Sequence, residues 1–223
     1  MISVAMDGPV GAGKSSVARE CAKRLGFIYV DTGALYRAVG LYCTRNGIEM
    51  SVENEQTVKK AVEDGVSLEI KLEEGTQLVF MNGENVSEEI RLPEISMAAS
   101  AVSAIPAVRR FLLDTQRSVA AKNNVIMDGR DIGTVILPNA DVKIFITAAP
   151  EIRAKRRYDE LVAKGVDVKF EDVLSDLNKR DYNDSHRAEA PLKQADDAVL
   201  LDTSALDFEQ TVNEVIRLVK TKM

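Results

Sequence analysis

One short stretch near the start of the chain constrains the fold more than any other. It is Gly8-Pro9-Val10-Gly11-Ala12-Gly13-Lys14-Ser15, which fits the pattern GxxxxGK[ST] and follows the apolar run 2–6. In such a loop, backbone N–H groups face a polyphosphate, the lysine reaches the β- and γ-phosphates, and the hydroxyl ligates Mg²⁺. The pattern predicts a strand, a nucleotide-binding loop, and a helix whose positive end points at phosphates.

Length and cysteine usage set the class of protein. A chain of 223 residues has room for one large domain, or for a domain with an insertion. Both cysteines, Cys21 and Cys43, lie in helical patterns among apolar neighbours, which predicts reduced core thiols. With no leader pattern and no run near the ~18 apolar residues of a membrane span, we expect a cytoplasmic protein without a membrane partner.

The charge pattern argues against nucleic acid as a partner. The net charge is −6, lysines and arginines are dispersed along the chain, and there is no tryptophan. A nucleic-acid surface needs clustered positive charge, and usually aromatic side chains for stacking. We therefore expect small anionic ligands held by a few arginines, and nothing in the sequence requires more than a monomer.

Strands alternate with helices over the first 46 residues. Residues 27–30 read as a buried strand that ends at Asp31, and Thr32 begins another helix. Because ligands of parallel α/β sheets bind beyond the carboxyl ends of the strands, this edge is the expected working edge. Tyr36 and Arg37 lie on the helix that starts there, where they serve either as site residues or as ordinary surface residues.

The segment 47–94 has a different pattern. A short polar helix is predicted over 54–64, and residues 66–72 and 78–81 alternate as half-buried antiparallel strands do. Turns are predicted at 73–76 and at Asn82-Gly83, before a third short strand near Val86. Parallel sheets do not normally carry such a meander, so we interpret it as an inserted small domain.

A carboxylate ends the next buried strand. Helices are predicted over 95–104 and 107–122, and then a strand over 124–128 is followed directly by the string 129–134, GRDIGT. Asp128 ends that strand on the side where Ser15 is expected. We predict that Ser15 holds Mg²⁺ together with Asp128, either directly or through water.

The last third of the chain carries a basic segment. After a strand over 142–147, a helix begins near Glu151 with three arginines, Arg153, Arg156 and Arg157, and a second helix is predicted over 170–179. Basic residues continue to Arg187, which suggests a segment that folds over phosphates and excludes water. A strand over 198–201 and a helix over 208–222 complete the core.

Two other features of this region, the NKRD string and a single histidine, do not indicate a binding site. Residues 178–181 spell NKRD, which fits the guanine-reading string NKxD of GTPases, but the string must follow a buried strand and here it ends an amphipathic helix. His186 is the only histidine, so it has no histidine partner for a metal site and is expected to be exposed.

The side chains predict phosphoryl transfer rather than hydrolysis. That reaction needs positioning and positive charge more than covalent chemistry. The phosphate loop and Ser15 would hold a donor, and four arginines offer charge to an anionic acceptor: Arg37, Arg109, Arg130 and Arg187. No Ser-His-Asp arrangement, carboxylate pair or Cys/His ligand spacing is present.

Four motifs together closely resemble those of the bacterial cytidylate kinase family. They are DGPVGAGKSS at 7–16, DTGALYR at 31–37, DGRDIGT at 128–134, and the set Arg180-Asp181, Asp184-Ser185, Arg187 with APL at 190–192. The resemblance extends over nearly the whole chain and includes the alternating segment. The later motifs are more specific than the phosphate loop, which many unrelated NTPases share.

The resemblance implies an α/β fold: a three-layer P-loop NTPase core with a five-stranded parallel sheet, an inserted antiparallel β domain that binds a nucleoside monophosphate, and a helical lid. The domain division that follows is core at 1–46, 95–150 and 188–223, insertion at 47–94, and lid at 151–187. The implied activity is transfer of the ATP γ-phosphate to CMP or dCMP with Mg²⁺, in pyrimidine metabolism.

Roles follow by motif position. The ATP-binding residues would be Gly8, Pro9, Val10, Gly11, Ala12, Gly13, Lys14, Ser15, Ser16 and Arg157. Cytosine would be recognised by Ser100, Arg109 and Asp131, with Thr32 nearby, and the sugar by Arg180 and Asp184. Tyr36, Arg37, Arg130 and Arg187 would surround the acceptor phosphate. Catalysis would rest on Lys14, Arg37, Asp128, Arg130 and Arg187.

Two alternatives remain at this point. One is a P-loop kinase of another small acceptor, such as shikimate, AMP or dephospho-coenzyme A; the meander and the DGRD string speak against it. The other is a nucleotide-dependent switch protein, which would need a guanine-reading motif after a strand or an exposed apolar switch surface. Val10 is expected to contribute mainly its backbone to the loop.

Overall fold

The computed structural model describes residues 1–73 and 76–223, and the chain divides into two compact units. The first unit is formed by residues 28–125 with Met1, and the second by residues 2–27 and 126–223. The turn predicted at 73–76 lies partly outside the described residues.

In residues 1–73 and 76–223, eight strands form two sheets, as the sequence predicted. The larger is a five-stranded parallel sheet with the order β2-β6-β1-β7-β8, and the smaller is a three-stranded sheet with the order β3-β4-β5. The strands are β1 Ser3–Asp7, β2 Ile28–Asp31, β3 Leu68–Glu73, β4 Thr76–Met81, β5 Glu84–Asn85, β6 Val125–Asp128, β7 Val142–Thr147 and β8 Val199–Asp202.

The part of the chain that the structure describes also forms eight α-helices, the last of which follows the final strand. They are α1 Lys14–Leu25, α2 Thr32–Arg45, α3 Glu55–Gly65, α4 Pro93–Ser103, α5 Pro106–Lys122, α6 Pro150–Ala163, α7 Phe170–His186 and α8 Phe208–Lys220. Short apolar runs became strands and segments with apolar residues every three to four positions became helices, which is why most predicted bounds agree to within about two residues.

In the unit that contains the phosphate loop, β1 is buried and pairs in parallel with β7, in the register Val4↔Val142. α1 starts directly after Gly13, whose φ is 83°, and ends directly before Gly26, whose φ is 68°. Both glycines adopt the left-handed conformation that most other residues avoid. A strand, a loop and a helix therefore follow one another within 25 residues.

In the unit 28–125, the antiparallel strands form the predicted meander. Asn82 and Gly83, with φ values of 53° and 82°, make the two-residue turn between β4 and β5. The core of this unit lies around α2, which packs closely on α4, since a Cβ on Gly40 would lie 3.0 Å from Ala98. The small residue at position 40 allows that close approach.

Three local features differ from the sequence prediction. α7 continues past residue 179 to His186, so the NKRD string lies inside a helix rather than at its end. A 3-10 turn at Glu89–Arg91 and a π-helical turn at Ile132–Ile136 were not predicted. Such turns depend on tertiary hydrogen bonds and have no strong sequence signature.

A membrane span was not expected. In the described part of the chain, no single helix has the length and apolar character to cross a membrane, whereas α4 and α5, at 97° to each other, pass that test only as a bent pair. Cys21 and Cys43 are both buried free thiols, as predicted, and burial raises their pKa to about 12 and about 11.

Candidate active site

The phosphate loop has the backbone conformation that its glycines predict. Gly8, Gly11 and Gly13 have φ values of 147°, 74° and 83°. At Gly8, a Cβ would lie 1.9 Å from the main-chain oxygen of Ile146 on β7, a distance at which no side chain fits. The first glycine of the motif is therefore required by the contact of the loop with β7 as well as by its own φ.

Lys14 lies buried inside this loop. Its Nζ donates to the main-chain oxygen of Pro9 at 2.7 Å. Burial lowers the pKa of Lys14 to about 7, and Arg130 adds to that effect, while Asp128 and Asp7 oppose it. A phosphate that displaced the Pro9 oxygen would favour the charged form of the lysine.

Ser15 and Asp128 meet as the sequence predicted. Ser15 Oγ donates to Asp128 Oδ2 at 2.7 Å, although the two residues are 113 positions apart. No group of three or more His, Cys, Asp or Glu side chains in residues 1–73 and 76–223 forms a metal cage. One hydroxyl and one carboxylate nevertheless fit Mg²⁺, which usually takes only one or two protein ligands and completes its shell with water and phosphate oxygens.

Asp7, at the end of β1, holds the turn that follows β6. Its two carboxylate oxygens accept the N–H groups of Ile132 and Gly133, both at 2.7 Å. Burial raises the pKa of Asp7 to about 6, against the lowering effect of these two backbone hydrogen bonds. Asp131 immediately precedes the two bonded residues, so Asp7 fixes the backbone on which Asp131 is carried.

Two arginine–aspartate pairs lie around this turn. Arg130 Nε donates to Asp184 Oδ2 on α7 at 2.8 Å, and Arg187 donates to Asp131 Oδ1 at 3.2 Å. Burial lowers the pKa of Arg130, but the carboxylates of Asp184, Asp128 and Asp181 together outweigh that effect, so the pKa of Arg130 is raised above its ordinary value. Arg180 lies one turn before Asp184 on the same helix.

The three arginines of α6 have different partners. Arg153 is buried and donates to the main-chain oxygens of Ala148 and Val10 at 2.8 and 2.9 Å. Arg156 donates to the main-chain oxygen of Thr203 at 2.8 Å. Arg157, which was predicted to bind ATP, forms an exposed pair with Glu160 on the same helix, at 2.8 Å.

The unit 28–125 carries the remaining predicted residues. Asp31 caps α2 by accepting the Ala34 N–H at 3.0 Å, and Arg37 lies 3.7 Å from the Asp31 carboxylate. Gln77 of β4 fixes the end of β2, because its amide both accepts from the Asp31 N–H at 2.8 Å and donates to the Asp31 main-chain oxygen at 3.2 Å. Thr32, the first residue of α2, is buried.

Tyr36 and Arg109 lie close together in this unit. The Arg109 guanidinium is 5.7 Å from the centre of the Tyr36 ring, and both side chains are buried. Arg109 also donates to the main-chain oxygen of Ser103 at 3.3 Å, and Ser103 Oγ in turn donates to that of Ser100 at 2.9 Å. The guanidinium is thus positioned by the end of α4, which carries Ser100.

The structure therefore groups the predicted residues within each unit. One unit contains Lys14, Ser15, Asp128, Arg130, Asp131, Asp184 and Arg187, whereas the other contains Tyr36, Arg37, Ser100 and Arg109. Sequence reasoning assigned no role to the side chains of Asp7, Gln77 or Asp181. Asp181 belongs to one of the four family motifs and to the NKRD string, but neither gave its side chain a role.

Both cysteines are buried free thiols. Lys14 and Arg130 interact electrostatically at the phosphate loop, where a hydroxyl–carboxylate pair is suited to a hard cation. This combination, on a parallel α/β sheet, defines a P-loop phosphotransferase. Within that class, the chain belongs to the cytidylate kinase family, since the family model for cytidylate kinase matches residues 4–221.

Individual relatives agree with this family. The chain is 49% identical over 219 residues to a cytidylate kinase of Caldicellulosiruptor bescii, covering 97% of this chain and 95% of that protein. It is 48% identical over 219 residues to a cytidylate kinase of Caldanaerobacter subterraneus subsp. tengcongensis, covering 98% and 95%. Among solved structures, an uncharacterized protein from Eubacterium ventriosum has a TM-score of 0.53 at 13% identity over 99% of each chain, a likeness of fold alone.

Proposed function

We propose that this protein transfers the γ-phosphate of ATP to CMP or dCMP and so produces ADP with CDP or dCDP, a step of pyrimidine nucleotide metabolism. The observation that carries the proposal is the match of the cytidylate kinase family over residues 4–221. The grouping of phosphate loop, arginines and carboxylates in the second unit supports the reaction type.

ATP binds, in this proposal, through the loop residues Gly8, Pro9, Val10, Gly11, Ala12, Gly13, Lys14, Ser15 and Ser16, with Arg157 as a further ligand. The backbone N–H groups of the loop and the start of α1 favour the negative phosphates. Lys14 leaves the Pro9 oxygen and contacts the β- and γ-phosphates. The positive charge then lies where negative charge develops during transfer.

Ser15 and Asp128 are the residues proposed to hold Mg²⁺, Asp128 either directly or through water. The distance of 2.7 Å between Ser15 Oγ and Asp128 Oδ2 supports this, because two oxygens that close together can bind the same ion. When bound, the ion supplies charge neutralisation on the phosphate oxygens. The ligands proposed from the protein are this hydroxyl and this carboxylate.

The acceptor nucleotide is proposed to bind through Thr32, Tyr36, Arg37, Ser100, Arg109, Arg130, Asp131, Arg180, Asp184 and Arg187. A guanidinium donor suits O2 and N3 of cytosine, and a carboxylate acceptor suits its N4 amino group, which are the roles proposed for Arg109 and Asp131. Arg37, Arg130 and Arg187 neutralise the acceptor phosphate. The Arg130–Asp184 contact supports this, since it holds the guanidinium beside a carboxylate in a partly buried place.

No general base is needed in this mechanism, because the acceptor is a phosphate that is already ionised at neutral pH. Catalysis is proposed to rest on Lys14, Arg37, Asp128, Arg130 and Arg187, through positioning and charge. The segment 151–187 acts as the lid that excludes water, and 47–94 acts as the inserted acceptor domain, within a core formed by 1–46, 95–150 and 188–223.

We also propose that the protein works as a monomer in the cytoplasm, with small-molecule partners only. The net charge of −6 with dispersed basic residues supports the absence of a nucleic-acid partner. The buried, unpaired cysteines are in keeping with a reducing compartment.

The experiment is a coupled assay of ADP release with ATP, Mg²⁺ and each nucleoside monophosphate in turn. Strong stimulation by CMP and dCMP alone is the expected result. Stimulation by another nucleoside monophosphate, such as AMP, would instead indicate a kinase of another acceptor. Turnover that is independent of any acceptor would indicate a nucleotide-dependent switch, and either result would overturn the proposal.

A further inference from the structure

Asp181 and Arg153 hold the phosphate loop by the main chain of Val10. Val10 N–H donates to Asp181 Oδ1 at 3.1 Å, and the Val10 carbonyl accepts from Arg153 at 2.9 Å. The same guanidinium nitrogen donates to Asp181 Oδ2 at 2.6 Å. Both main-chain groups of one loop residue are therefore satisfied by a single ion pair between α6 and α7.

The pair is shielded from water. The Arg153 side chain is 5% exposed and that of Asp181 is 19% exposed. Arg153 Nε also donates to the Ala148 main-chain oxygen at 2.8 Å, so the guanidinium is fixed at the end of β7 as well as on the loop. Charged hydrogen bonds in such surroundings are short and directional, and they hold geometry better than exposed pairs do.

Side-chain packing acts on the same loop residues. Val10 packs against the apolar cluster between α6 and α7, which contains Ala154, Val173 and Leu177. A Cβ on Gly11 would lie 3.2 Å from Leu177 Cδ1 and 3.3 Å from Arg153 Cβ. Val10 was expected to contribute mainly its backbone, but its side chain also anchors the loop.

We infer that the Arg153–Asp181 pair is a positioning unit for the nucleotide triphosphate: it fixes Val10, and through Val10 the orientation of the loop N–H groups that follow. Asp181 thereby has a role in a nucleotide site without reading a base, although it ends the NKRD string. Arg153 holds the loop rather than the phosphates. The inference concerns binding of ATP, and it rests on the proposed function only for the identity of that nucleotide.

The test uses full-length Asp181→Asn and Arg153→Met, with binding of the non-hydrolysable analogue AMP-PNP and Mg²⁺ measured by calorimetry, and melting temperature measured in parallel. Asn keeps the size of Asp181 but loses the charge that pairs with Arg153. We expect AMP-PNP to bind at least ~10-fold more weakly to either variant, since charged hydrogen bonds contribute ~1.5–3 kcal/mol. Asp176→Asn, an exposed residue of the same helix, and Lys155→Met, an exposed residue of α6, are the matched controls.

The double variant separates positioning from simple loss of stability. If the pair acts as one unit, the double variant binds AMP-PNP no more weakly than the worse single variant. In turnover, the KM for ATP rises while the KM for CMP stays within about twofold of that of the unaltered protein. A stability effect alone would instead lower kcat in proportion to the folded fraction and leave both KM values unchanged.

Wild-type affinity for AMP-PNP in a folded Asp181→Asn protein would overturn the inference. If Arg153→Met does not fold, Asp181→Asn carries the test, because Asn is isosteric and the position is partly exposed. Because calorimetry needs no acceptor, the result is independent of CMP: a protein that binds AMP-PNP but does not phosphorylate CMP refutes the proposed function and leaves this inference testable.

Discussion

Arg130 and Asp184, 54 positions apart in the chain, are joined by a hydrogen bond of 2.8 Å from Nε to Oδ2. The two residues are proposed to contact different parts of one nucleotide, the phosphate and the sugar. In the structure each is the other's partner. Binding of the acceptor must therefore keep or exchange this ion pair, in which Asp184, together with Asp128 and Asp181, offsets the effect of burial on the charge of Arg130.

Replacement of Arg130 tests the acceptor side of the site. We expect Arg130→Ala to lower kcat/KM by at least ~10²-fold, as removal of one positioned charge commonly does. The variant should remain folded in circular dichroism and thermal melting. Arg217→Ala, which removes an exposed arginine paired with Glu214, is the control and should keep normal turnover. Near-normal turnover of Arg130→Ala would contradict the role proposed for Arg130 at the acceptor phosphate.

The buried Lys14 predicts proton uptake on nucleotide binding. Burial lowers its pKa to about 7 in the free protein, and phosphates restore the charged form. As pH rises above 7 the neutral form of the free lysine comes to predominate, so ATP binding takes up a proton and affinity falls as pH rises from 7 to 9, by at most ~10-fold per pH unit. Calorimetry at pH 8 in Tris and in HEPES measures this uptake, and Lys14→Met should abolish it. Equal binding heats in the two buffers would contradict the prediction.

Replacement of Asp7 tests whether its carboxylate positions the turn at Ile132 and Gly133. In Asp7→Asn one of the N–H groups of Ile132 and Gly133 faces an amide nitrogen and loses its acceptor, at a cost of ~1–3 kcal/mol. We expect kcat/KM to fall at least ~10-fold, because the turn carries Asp131. Asp141→Asn is the matched control, since Asp141 also accepts two hydrogen bonds, both from Ser3, but in an exposed place. Similar kinetics for both variants would exclude a positioning role.

A side chain at position 8 should destabilise the fold, because the backbone of β7 occupies the space that it would need. Gly8→Ala places a Cβ 1.9 Å from the Ile146 main-chain oxygen, so β1 and β7 would have to move apart. We expect a loss of at least ~3 kcal/mol in the free energy of unfolding from urea titration. Gly165→Ala also has a positive φ, of 76°, but meets no atom within 4 Å, and should lose only ~1–2 kcal/mol. Equal losses of unfolding free energy in the two variants would mean that backbone strain at positive φ, and not the contact with β7, determines the effect of Gly8→Ala.

The phosphate loop, the order of strands and helices, and the Ser15–Asp128 pair were predicted from sequence. Each depends on local signals: glycines at fixed spacing, short apolar runs, and a polar residue where a buried strand ends. Parallel strands bring such ends to one edge of a sheet, so even the 113-position separation of Ser15 and Asp128 needed no further information.

Tertiary structure alone decided which polar groups became partners. Asp7 reaches Ile132 across 125 positions, and Asp181 reaches Val10 across 171. In sequence, Asp181 looked like part of a misplaced guanine motif and Arg153 like one charge in a basic run. A hydrogen bond between distant residues depends on how whole helices pack, and no spacing rule encodes that. The amino-acid sequence thus determined the phosphate loop and its chemistry, whereas the packing of α6 and α7 decided how that loop is held.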